Sequence, residues 1–139
     1  MTLFRPWTAD LCINNSLIDS QHKNLIRISE LAESCATELN VDYSIFVKLL
    51  NDFATYAMEH FSEEERCLEL NGSPNLETHR KAHSAYLEKV TVFLLEVSAG
   101  LIDRNRLHAL TLEYLVDHMR TFDQVDKAYL GECETQNQR

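Results

Sequence analysis

Apolar residues recur along this chain at intervals of three and four, in four stretches separated by short polar breaks. The breaks fall at Asn40 to Asp42, at Asn71, Gly72, Ser73 and Pro74, and at Gly100 to Asp103. They bound predicted helices at about 19–39, 43–70, 75–98 and 104–131, preceded by an arm over residues 1–18 that carries Trp7. Asp19, Asp42 and Asp103 stand where a side-chain oxygen can cap the first, second and fourth helices. Connections this short make neighbouring helices antiparallel. The pattern therefore predicts an all-α, up-down-up-down four-helix bundle with an N-terminal arm, a single domain over 1–139.

On a wheel of about 100° per residue, the second helix gathers Phe46, Leu49, Leu50, Phe53, Tyr56, Ala57, Phe61, Cys67 and Leu68 on one stripe. His60 and Glu64 fall inside it. The third stripe holds Leu76, Tyr86, Leu87, Val90, Phe93, Leu94 and Val97, and it encloses His79 and His83. The fourth holds Leu107, Tyr114, Leu115, Phe122, Val125 and Tyr129, with His118 at its middle. In the first helix Leu25, Ile28, Ala32, Cys35 and Leu39 leave His22 at the stripe's edge. A lone inward histidine is more often a satisfied core residue than a ligand. Five of the six histidines, joined by a core-facing carboxylate, are a different case. Burying them together unpaired costs several kcal/mol per group, so something must compensate them.

Height along the bundle tests this independently, because each residue advances about 1.5 Å and residues equally far from a turn share a level. His22 and His60 lie at similar distances from the first break, Glu64, His79 and His83 from the second, and His83 and His118 from the third. All four helices deliver polar groups to one layer, and a metal site is the economical explanation.

Composition narrows the partners. Thirteen basic against twenty-two acidic residues give a net charge of −9, which repels nucleic-acid phosphates and anionic membrane surfaces. No signal-peptide-like run and no stretch of eighteen apolar residues occurs, so the expectation is a cytoplasmic protein without membrane insertion. Cys12, Cys35, Cys67 and Cys133 lie far apart with no C-x-x-C pair and read as reduced thiols. Five imidazoles are too many for one tetrahedral zinc, so two ions fit better. Nitrogen and carboxylate ligands suit iron, while ligand type alone leaves zinc, manganese and copper open.

Four short motifs now carry a resemblance: IDSQH ending at His22, HFSEE from His60 to Glu64, HRKAH from His79 to His83, and HMRTFD from His118 to Asp123. Over essentially its whole length the chain resembles the bacteriohemerythrins, the single-domain bacterial branch of the hemerythrin family. That resemblance implies a non-haem centre of two Fe ions with an oxo or hydroxo bridge. In it His79, His83 and His118 bind one iron, His22 and His60 bind the other, and Glu64 and Asp123 bridge both. It also implies reversible O2 binding at the two-histidine iron, in a pocket formed by Tyr114, Leu115 and Met119 with Phe61 and Leu25 as neighbours. Asp123 enters only through the resemblance, since five residues after His118 an ideal helix turns it about 140° away. Glu63 and Glu65 read as solvating residues, and His108 as lying near the surface.

Tyr114 stands where the family usually has tryptophan, and Asn14 where it usually has glycine. The leading function is an O2 carrier, store or delivery protein rather than an enzyme. The alternatives are an O2- or redox-sensing module and a di-iron oxidase or peroxidase. Oxygen-activating bundles of the ferritin type use mostly carboxylates with E-x-x-H pairs, and a histidine-rich site favours binding over oxidation.

Overall fold

A computed structural model describes residues 11–13, 15–37, 42–101 and 103–130, apart from the side chains of residues 36, 37, 104 and 112–114. Helix α1 spans Ser16–Thr37, α2 Tyr43–Leu70 and α3 Leu76–Ser98. The fourth helical run is α4 (Arg104–His108), a π-helical turn Ala109–Glu113, α5 (Tyr114–His118), a second π-helical turn Met119–Asp123, and α6 (Lys127–Leu130). No strand occurs among the described residues. The architecture is the predicted up-down-up-down bundle, and among the described residues no helix is long and apolar enough to cross a membrane.

The helix starts follow their capping chemistry. Asp42 accepts from the backbone N–H groups of Ser44 and Ile45, and Asp103 from that of Arg106. Helix α1 starts earlier than expected, because Asn15 rather than Asp19 caps it: Asn15 Oδ1 accepts from Ile18 N–H at 3.1 Å. The Asp19 carboxylate instead turns back to the arm and accepts from Ile13 N–H at 3.0 Å and from Cys12 Sγ at 3.2 Å. At the far end of α2, Gly72 takes a positive φ of 69°, a conformation that glycine reaches without strain and that ends the helix before Pro74.

The core is stacked in layers along the bundle. Ala32, Phe46, Leu50, Phe93, Val97 and Leu107 fill one end. Next come Leu25, Ile28, Phe53, Ala57, Phe61, Tyr86, Val90, Leu115 and Met119. At the opposite end Ile13, Ile18, Cys67, Leu68 and Leu130 close the bundle. Between the second and third layers every helix places buried polar side chains.

Several expectations are corrected. His22 is fully buried within the apolar stripe rather than at its edge, because the inner face of α1 runs through Ile18, His22, Leu25, Ser29 and Ala32. Ser29 is tolerated there by donating to Leu25 O at 2.8 Å. Tyr56 and Val125 are exposed at 38% and 72%, not core residues. Val125 leaves the stripe because it follows the second π-helical turn, which shifts the register of everything beyond it. Cys12 and Cys35 are not disulfide-bonded, whereas Cys67 is disulfide-bonded and not a reduced thiol.

Candidate metal centre

Helix α1 supplies His22, α2 supplies His60 and Glu64, and α3 supplies His79 and His83. The last two pairs are spaced four residues apart, so each points from a single face. The fourth run supplies His118 and Asp123, and here the backbone departs from the α-helix. Through Met119–Asp123 it forms a π-helical turn, closed by Gln124 N–H donating to Met119 O five residues back at 3.0 Å. A five-residue repeat carries Asp123 under His118, where a regular α-helix would turn it away. All seven side chains are at most 3% exposed.

The two carboxylates each divide their oxygens between two groups of imidazoles. Glu64 Oε1 lies 3.2 Å from His83 Nε2 and 3.7 Å from His118 Nε2. Glu64 Oε2 lies 3.2 Å from His22 Nε2 and 3.1 Å from His60 Nε2. Asp123 Oδ1 approaches His79 Nε2 at 3.2 Å and His118 Nε2 at 3.4 Å, and its Oδ2 approaches His22 Nε2 at 3.1 Å. One half therefore combines three imidazoles with an oxygen from each carboxylate. The other combines two imidazoles with the remaining oxygens. Ligand atoms of Glu64, His79, His83 and His118 lie within 4.8 Å of one another, as do those of His22, His60, Glu64 and Asp123, so each set can hold a metal ion.

Protein groups alone leave this layer incompletely satisfied. Glu64 Oε1 and Asp123 Oδ2 are buried without a hydrogen bond, an arrangement that disfavours a carboxylate unless a cation completes it. Burial pushes the His22 and His118 pKa values down, but Asp123 and Glu64 outweigh it and raise them to about 9 and about 10. At His60 burial prevails and, with the charge of His22, lowers the pKa against the pull of Glu64. Burial works to raise Glu64, yet His60, His118 and His22 hold it well below the usual carboxylate range. Asp123 is likewise lowered: burial and Glu64 oppose its charge, and His118 and His22 overcome them. Nitrogen and carboxylate donors, convergent and poor in protons on the oxygens, are the donor set of a cation site.

The apolar layer abuts this centre. Leu25, Phe61, Leu115 and Met119 are all buried in one cluster. Phe61 stacks on His83, with ring centroids 3.9 Å apart and planes 7° apart, and lies 5.7 Å from His60 and 5.8 Å from His118. The backbone of Tyr114 opens α5, but its side chain, like all of Asn14, lies outside the described residues.

A family described as Hemerythrin HHE cation binding domain matches residues 14–130. The chain belongs to the hemerythrin family. Among its hemerythrin relatives, a bacteriohemerythrin of Stenotrophomonas maltophilia is 26% identical over 136 residues, covering 95% of this chain and 88% of that protein. A bacteriohemerythrin of Clostridium acetobutylicum is 32% identical over 89 residues, 63% of this chain and 69% of its own length. A myohemerythrin of Theromyzon tessulatum is 30% identical over 107 residues, 76% of this chain and 77% of the relative.

Beyond the seven inward groups, the hemerythrin layer has an outer ring of partners that periodicity did not nominate. Glu65, expected only to solvate α2, accepts from His83 Nδ1 at 2.7 Å. Gln21 Oε1 accepts from His60 Nδ1 at 2.9 Å. Asp126 Oδ2 lies 2.9 Å from His79 Nδ1. Glu63 does remain peripheral, paired with Arg66, and His108 is half-buried with its Nδ1 2.8 Å from Glu33. Sequence adjacency was the available signal for Glu65 and Gln21, each next to an inward ligand candidate. Asp126 carried none, because its position depends on the π-helical turn before it.

Proposed function

We propose that this chain holds two iron ions, one by His79, His83 and His118 and the other by His22 and His60, with Glu64 and Asp123 shared, and that it binds O2 reversibly. The observation that carries this reading is the division of each carboxylate between a three-imidazole half and a two-imidazole half. The halves differ by one protein donor, so an ion held in the two-histidine half would have room for a diatomic ligand. Iron held by these residues would supply the reversible electron donation that O2 binding requires. The protein's part is to orient the Nε2 atoms inward and to limit water and proton access. Phe61, Leu25, Leu115 and Met119 provide the apolar wall, with Tyr114 as a further pocket residue. Storage, transport or delivery of O2 follows from such reversible binding.

The test is spectroscopic. Colourless, fully reduced, iron-loaded protein should take up one O2 per chain and develop a visible charge-transfer band that bleaches when the O2 pressure falls. Permanent oxidation with release of hydrogen peroxide on first exposure, even on rapid mixing in the cold, would place the chain with oxidases instead.

A further inference from the structure

We propose that Glu65 and Asp126 are positioning residues that make the three-histidine half of the centre the tighter metal position, while Gln21 sets the weaker, two-histidine half. This rests on the two-ion reading above and assigns an order to it.

An imidazole offers its Nε2 lone pair to a cation only when its proton sits on Nδ1. An ionised carboxylate opposite Nδ1 is acceptor-only, so it enforces that tautomer and makes the ring a stronger donor. His83 Nδ1 is hydrogen-bonded to Glu65 Oε2 at 2.7 Å, whereas His79 Nδ1 lies 2.9 Å from Asp126 Oδ2 as a charge contact without hydrogen-bond alignment. His60, in the other half, meets the neutral amide oxygen of Gln21 at 2.9 Å. An amide accepts the same hydrogen bond without a full negative charge. Two of the three imidazoles on one side thus have an anion beside Nδ1, one of them hydrogen-bonded to it, while the partner of His60 on the other side is uncharged.

Both outer carboxylates are themselves held from behind. The second oxygen of Asp126 accepts from Asn75 Nδ2 at 2.8 Å. Asn75 precedes α3, and its side chain makes no capping bond to that helix. The second oxygen of Glu65 lies 3.6 Å from Arg80 Nε, and the same guanidinium reaches Glu69 at 2.9 Å and Glu77 at 2.7 Å. Each carboxylate therefore turns one oxygen to its anchor and the other to a ring nitrogen. That division fits a positioning role better than a solvating one. Asp126 is 2% exposed, so solvent screens its charge little.

The experiment uses the full chain loaded with cobalt(II), a competing chelator, and two readouts: metal content and the visible spectrum of the bound cobalt. The native chain should surrender its ions in two separated steps. Glu65→Gln keeps an acceptor at His83 but removes the charge, and should weaken the tighter step about tenfold or more, the range for outer partners of metal-bound histidine. Asp126→Asn should do the same. Gln21→Leu should weaken the looser step and spare the tighter one. Because Glu65 lies at the partly exposed edge, Glu65→Gln carries the test even where Asp126→Asn compromises folding, and circular dichroism reports which has occurred. Two steps that stay unshifted in Glu65→Gln, or that shift together in Glu65→Gln and Gln21→Leu alike, overturn the proposal and leave the two-ion reading intact. A native chain that never holds two ions removes both.

Discussion

Glu64 shows how much of the centre depends on one residue presenting two oxygens. Its Oε1 serves one group of imidazoles and its Oε2 the other, at separations of 3.1–3.7 Å. Glu64→Gln preserves shape but replaces one acceptor oxygen with a donor NH2, which faces Nε2 atoms or a cation unfavourably on whichever side it turns. The expected outcome is at most one metal ion per chain by elemental analysis. Two ions retained in Glu64→Gln would show that the shared oxygens are dispensable. Glu64 and four of the inward histidines were legible from their place inside apolar stripes, since periodicity reports which face is buried, and His22 from its height in the same layer. It does not report which side chains reach back from the rim. Glu65 lies on a flank of α2 and turns inward only because His83 presents Nδ1 there, a contact between helices that no single-helix pattern contains.

At the scale of elements, the fourth run holds the main departure from a regular pattern. The first π-helical turn, Ala109–Glu113, leaves Leu110 O to accept from the Tyr86 hydroxyl, and the second places Asp123 at the centre. A π-helical turn accommodates one residue more than an α-helical turn while the flanking helix keeps its course. Deleting exposed Thr121 should therefore convert the His118 to Asp123 spacing from five to four within a regular helix, and both ions should be retained. Inserting an alanine after Thr121 should instead abolish binding. Loss of metal on deletion would mean that the π geometry itself is required. The wheel predicted the helices because their boundaries are written in caps and breaks. It misplaced Val125 because a π-helical turn leaves the composition unchanged while rotating every residue beyond it. Asp42 offers a check on the caps. Its pKa is lowered, first by the Ser44 hydroxyl and then by Ile45 N–H, so its stabilisation is present above the ordinary value of 3.8 and lost as pH falls through the lower folded value. Asp42→Ala should lower the melting temperature at neutral pH, with the gap from the native chain closing in strong acid.

The whole molecule carries a polar stratum between two apolar layers, and its stability must depend on what neutralises that stratum. In the ion-free chain the neutralising charges are protons, chiefly on His22 and His118, whose pKa values rise from 6.5 to about 9 and about 10. A group whose folded pKa is raised stabilises fully below its unfolded value and loses that contribution as pH climbs through the folded one. Ion-free protein should therefore weaken from about pH 6.5 towards pH 10, when Glu64 and Asp123 lose their protonated partners. In the loaded chain a cation takes the place of those protons at Nε2, so the two compete. Metal retention then strengthens as pH rises and fails in acid. Loading should raise the melting temperature at neutral pH, and the advantage over the ion-free chain should widen between about pH 6 and pH 9. Calorimetry on both forms across that range tests the sign directly: melting curves that shift in parallel with pH would mean that metal and protons do not share these nitrogens.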